Sequence, residues 1–250
     1  LASDYFIPNE YDKLMSFIGS EGTNAFTSTD MTVYVEEIPS NQFENWARIQ
    51  ADRFMNPVLR GFHTELETVY EEKNMSLTED FSKALETLDG MLFPDHPYGQ
   101  QTVLGTQEHL KNPSIINIKN YYKKYYVPNN MAICVSGDFN PDEMVAIIEK
   151  YFGRMQPNED LSELTLKTEF QLEAPVEKEV YGLDAEAIIM GWKYPGAASK
   201  DALIAEVAAS VLYNGAAGLI DLNINQEQKV LGASGMSYPR PDASELIIMA

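Results

Sequence analysis

One cysteine in 250 residues, Cys134, rules out an internal disulfide and leaves the redox compartment open. Set in the apolar run "MAICVSGDF", it reads as a buried, inert strand residue. Positive charge is scarce too: 18 Lys and Arg face 38 Asp and Glu, for a formal net charge of −20 and a pI near 4.4. A mean field of that sign repels phosphate backbones and anionic membrane surfaces, so no nucleic-acid partner is expected. No apolar run approaches the roughly 20 residues that a spanning helix needs, and no transmembrane segment is expected. The opening "LASDYFIPNEYDKL" has neither a basic nor an apolar leader region and no initiator Met, and the chain stops inside the apolar run "ELIIMA". These features lead to the expectation of an internal fragment of a longer protein.

A hydrophobic content of 44% over this length suits one large domain or two of ordinary size, and two are expected. Apolar spacing predicts a short helix capped by Asn9 and closed at Gly19. A second helix is expected over about Ser40–Asp52, and a long one from about Phe62 towards Leu92. In residues 23–37 the apolar Met31, Val33 and Val35 alternate with Thr32, Tyr34 and Glu36, the pattern of a strand with one buried face. Residues 130–138 read as a buried strand of the same sheet, covered by helices. Pro113 suits the first turn of another helix, and Asn140 caps one that Gly153 ends. Residues 156–175 lose periodicity between prolines and form the expected linker. Beyond it come strand-like "AEAIIMGWKY", a helix over Ser199–Tyr213, and strand-like runs around 231–238 and 245–250. Helices between strands without regular alternation predict an α+β class.

The stretch "HTELETVYEEKN", residues 63–74, poses the functional question. Seven residues advance a helix by about 700°, so Glu65 and Glu72 share a face while Glu67 and Glu71 point elsewhere. Two carboxylates one above the other make a weak metal-ligand pattern, because zinc usually takes His or Cys beside a carboxylate. A charged solvated face is the plainer reading of the spacing.

The sequence "ELETVYEEKN" resembles the segment that carries the downstream zinc-binding glutamate of the pitrilysin/insulinase family, the inverzincins. "GTNAFTSTDMTVYV" is similar to that family's edge strand, and "HPYGQQTVLG" to the loop before its helical hairpin. "YYVPNNMAICVSGDFNPDEM" looks like the strand and helix that close its first domain, and the four blocks run in family order over about residues 9–155.

The resemblance implies a mixed, largely antiparallel sheet with helices packed on one face, in two structurally similar domains. Residues 1–160 would be the first, incomplete at its N-terminus, and residues 176–250 the start of the second. It implies that Glu72 is a zinc ligand and that Glu65 is a second, catalytic-site glutamate supporting it. The backbone of Asn24, Ala25, Phe26 and Thr27 would pair with an extended, unfolded peptide substrate. None of His63, His96 and His109 lies in an H-x-x-E-H arrangement, so the remaining ligands are expected upstream of Leu1 and this fragment alone should be inactive. His96 is expected to pack and His109 to be exposed. The segment "NQEQKVLGASGMSYP" departs from the family's cleft-spanning pattern and leaves Lys229 and Tyr238 without a role. The resemblance also implies a zinc metallopeptidase that can assemble as a homo- or hetero-oligomer of family subunits, in the bacterial periplasm or cell envelope. Two other readings stay open: a catalytically inactive family subunit, and an acidic α+β interaction domain with no metal site.

Overall fold

The computed structural model describes residues 10–59, 61–161, 166 and 174–250. In chain order the elements are α1 (Tyr11–Phe17), β1 (Gly22–Thr27), β2 (Thr32–Glu37), α2 (Phe43–Met55), α3 (Phe62–Ser76), α4 (Asp80–Leu92), α5 (Pro97–Gln100) and α6 (Gln107–Lys111). There follow α7 (Ile115–Tyr125), α8 (Pro141–Phe152), β3 (Ile189–Pro195), α9 (Lys200–Leu212), β4 (Ser234–Tyr238) and β5 (Ala243–Met249). The fold is α+β, and every strand pairing among the described residues is antiparallel. The chain forms two compact units: one of residues 1–68 and 110–163, the other of residues 69–109 and 164–250. The division between them falls inside α3. The cap expected of Asn9 and most of the expected linker lie outside the described residues.

Short-range chemistry explains the helix starts. Ser114 Oγ accepts from the Asn117 amide at 3.2 Å, so α7 begins after Ser114 and Pro113 lies outside its first turn. Asn140 Oδ1 accepts from the amides of Asp142 and Glu143, and Ser199 Oγ from that of Ala202. The single helix expected over 62–92 is two. Ser76 Oγ and Thr78 Oγ1 bond the carbonyls of Lys73 and Met75, at 2.9 and 2.7 Å, and that side-chain competition ends α3 before α4 starts at Asp80.

In the first unit, residues 23–37 form a hairpin and not one strand. Gly22 pairs with Glu37 and Thr27 with Thr32, across a turn in which the Ser28 amide donates to Met31 O at 2.8 Å. The inward face is also not the expected one: Met31 and Val35 are 58% and 49% exposed, whereas Tyr34 and Glu36 turn towards the helices. Glu36 tolerates burial because four side chains meet it. Tyr11 Oη and Gln50 Nε2 donate to Oε1 at 2.6 and 2.7 Å, Trp46 Nε1 donates to Oε2 at 3.2 Å, and Arg53 Nη1 lies 3.6 Å away. The Arg53 guanidinium lies over the rings of Tyr11, Tyr34 and Phe54. On the far side of α2, Ala47 and Ala51 close onto Phe152 of α8.

Residues 130–138 are not a strand. Met131–Ser136 have no ladder partner among the described residues, and Cys134 is exposed, not buried. Apolar composition makes a segment fit to join a sheet, but the ladder needs a second strand.

The second unit is a three-stranded sheet in the order β3-β5-β4, with Gly191 opposite Ile247 and Met236 opposite the same residue on the other side. Leu88 and Leu92 of α4 pack with Phe93, Tyr98, Ala243 and Ile247 as its core. Gly191 permits this approach, since a Cβ there would sit 2.9 Å from Cδ1 of both Leu88 and Leu92. Beside the core, Arg240 is buried over Phe93 and Tyr98 and pairs with Asp89 and Glu245, each at 3.3 Å.

A glutamate-bearing helix and an open strand edge

The α3 helix starts after Gly61, whose φ of +72° lies in the left-handed region that favours glycine, and the Glu65 amide closes the first turn on Gly61 O at 3.2 Å. Leu66, Val69, Tyr70 and Lys73 are among its sheltered residues. At about 100° per residue they form one stripe, with Glu65 and Glu72 on one flank and Glu67 and Glu71 on the other. All four glutamates are exposed. His63 lies about 160° from Glu65 and faces away from the pair. The one charged side chain of this helix that is buried is Lys73, whose Nζ meets Glu86 at 2.6 Å.

Zinc takes about four ligands in a tetrahedral set. Among the described residues no group of three or more His, Cys, Asp and Glu is arranged to hold a metal ion. Glu65 and Glu72 therefore do not make a zinc site by themselves, and no chemical step follows from them alone. His96 is a packing residue, as expected: its Nδ1 accepts from the Tyr98 amide at 3.2 Å and its ring lies 4.3 Å from that of Tyr98. His109 is exposed in α6.

Every residue of β1 is exposed, and its one ladder partner among the described residues is β2. Backbone orientation alternates along a strand. Because the Ser28 amide donates to Met31, the groups of Phe26 and Asn24 also face β2, bonded to Val33 and Val35. Ala25 and Thr27 turn their N–H and C=O to the open edge. The Ala25 amide is met there by Asn24 Oδ1 at 2.8 Å, a side chain folded back on its neighbour. The four residues named from the sequence thus divide into two that hold the hairpin and two that face outward. Sequence reading missed this alternation, although the phase of the turn carries it. It also missed the buried Glu36 and Arg240 clusters, whose partners are remote in sequence.

The family model described as the Peptidase M16 inactive domain matches residues 116–249, from the first turn of α7 to the end of β5. The chain is 23% identical over 244 residues to the zinc protease PqqE of Helicobacter pylori, covering 92% of this chain and 52% of that one. It is 30% identical over 138 residues to an uncharacterized zinc protease of Mycobacterium leprae, covering 54% of this chain and 31% of that relative. The chain therefore spans about half the length of these relatives or less. Among solved structures, a protease from Helicobacter pylori superposes with a TM-score of 0.86 at 20% identity, over 100% of this chain and 62% of that one. Pitrilysin superposes with a TM-score of 0.73 at 21% identity, over 100% of this chain and 28% of its own. With the family model covering more than half of its residues, the chain belongs to the Peptidase M16 family, the pitrilysin-type zinc proteases.

Proposed function

We propose that this chain is part of a zinc-dependent peptidase that hydrolyses unfolded peptides. Glu72 supplies one zinc ligand, Glu65 supports it from the same flank of α3, and the other ligands come from outside these 250 residues. The peptide adds to the open edge of β1, where the outward main-chain groups of Ala25 and Thr27 hold it with little demand on its sequence. The observation that carries this reading is the pair of glutamates seven residues apart on one exposed flank of α3, in a chain whose relatives are named zinc proteases. Assembly with like subunits and a place in the bacterial periplasm or envelope are proposed with it, on the family resemblance. No helix of the described residues is long and apolar enough to cross a membrane.

The test is Glu72→Gln in the full-length protein, with Glu71→Gln as the control on the opposite flank. An amide lacks the carboxylate charge, so Glu72→Gln is expected to lower bound zinc and cleavage of an unfolded peptide, and Glu71→Gln to leave both unchanged. Unaltered zinc content in Glu72→Gln would remove Glu72 from the site. The description of the matched family domain as inactive favours a second reading, a subunit that presents peptides without cleaving them. That reading predicts peptide binding with no bound zinc and no turnover in the unsubstituted protein.

A further inference from the structure

In the first unit, α2, α7 and α8 end around one concave space of about 870 Å³, within the range of small-ligand sites. Its walls are apolar and aromatic, among them Phe54, Met55, Leu59, Tyr122, Tyr126 and Met155. Its charged groups are all of one sign. Lys119, Lys123, Lys124 and Arg154 line it, and no Asp or Glu does, in a chain whose carboxylates outnumber its cations two to one. None of the four makes an ion pair among the described residues. On α7 the residues 119, 122 and 123 have the spacing of one helical face, and Tyr126, its C-cap, stacks on Tyr122, so lysines and tyrosines share one wall.

A plainer use for such cations is to offset the negative ends of the helices. Three helix C-termini carry about −0.5 charge each, roughly −1.5 together, against four full positive charges. Part of the terminal carbonyl charge is already met by side chains: Tyr122 Oη donates to Phe54 O at 3.2 Å, Asn158 Nδ2 to Lys124 O at 3.1 Å, and Arg154 Nε to Tyr151 O at 3.1 Å, which leaves the three lysines. A surplus of positive charge over an apolar floor remains.

We propose that this cavity binds a free amphipathic organic anion, with a carboxylate head at Lys119 and Lys123 and an acyl tail along Tyr122, Tyr126 and Met155. An anionic membrane surface is the poorer occupant, because the molecule's net charge of −20 opposes approach to it. The proposal is independent of the peptidase reading.

Calorimetric titration of the whole chain with decanoate, 1-decanol and acetate tests it. Decanoate should bind at one saturable site, with the neutral alcohol and the tail-less acetate at least about tenfold weaker, the size expected for losing one charge-assisted bond or the apolar contact. The double substitution Lys119→Gln with Lys123→Gln should weaken decanoate by about tenfold or more. Both lysines are exposed, and an unchanged circular dichroism spectrum would show the variant folded. Equal binding of decanoate by the variant, equal binding of 1-decanol, or the absence of saturable binding would each overturn the proposal. So would binding to phosphatidylglycerol vesicles that decanoate does not compete away.

Discussion

Arg53 and Arg240 are each buried, stacked on aromatic rings and paired with carboxylates, but their charge balance differs. Arg53 faces one carboxylate, Glu36, which three further donors also hold. Removing the cation leaves that carboxylate buried with neutral donors alone, so Arg53→Met should lower stability by about 3 kcal/mol in denaturant unfolding. Glu36→Gln, which keeps the shape and removes the charge, should lower it less than Glu36→Ala. Arg240 faces two acids, Asp89 and Glu245. Burial, with the Asp89 charge beside it, pushes Glu245 up to about 7. The folded state then binds a proton that the unfolded state has released. The resulting stability is complete below the ordinary glutamate value of 4.5 and is lost as pH rises towards 7, on the order of 2–3 kcal/mol. Unfolding midpoints should fall between pH 5 and pH 8 in the native sequence, and fall less in Glu245→Gln. Equal slopes in the two proteins would show that Glu245 ionises normally.

At the scale of elements, the outward and inward halves of β1 give opposite expectations for the same substitution. Proline at an edge position whose N–H faces outward removes no ladder bond. Ala25→Pro should therefore leave thermal stability and zinc content of the full-length protein nearly unchanged while raising KM for an unfolded peptide. Phe26→Pro takes a bond from the pairing with Val33 and should destabilise the hairpin outright. Gly191→Ala drives a methyl group against Leu88 and Leu92, an overpacking expected to lower stability by about 1–3 kcal/mol, partly relieved by Leu92→Ala in the same chain. Which elements sequence can announce follows from the same physics. Asn140 and Ser199 bond amides two or three residues away, so those helix starts are written locally. Residues 130–138 are apolar in a way that suits a strand, but the ladder depends on another segment. The inward turn of Glu36 depends on donors from Tyr11, Trp46, Gln50 and Arg53, which no period-two count includes. Of the proposed site, the seven-residue spacing of Glu65 and Glu72 was legible. So was the exposed face that carries them, but the division of residues 24–27 between two directions was not.

For the whole molecule, a net charge of −20 sets two responses to salt against each other. Self-repulsion among carboxylates is screened as the Debye length falls from about 30 Å at 10 mM to about 3 Å at 1 M, so the unfolding midpoint should rise with sodium chloride. Decanoate affinity, which draws on exposed lysines, should fall over the same range. The open edge of β1 has a further consequence. A strand exposed along its length and ready to accept an extended chain does not distinguish a substrate from a copy of itself. Asn24 holds the Ala25 amide and so occupies one outward donor whenever no peptide is present. A guest has to displace that bond, and a chance encounter between two hairpins gains correspondingly less. Asn24→Ala would free the amide. The proteins should then part company with storage: light scattering from concentrated solutions of the variant should grow sooner than from the native protein, and an added unfolded peptide should delay it.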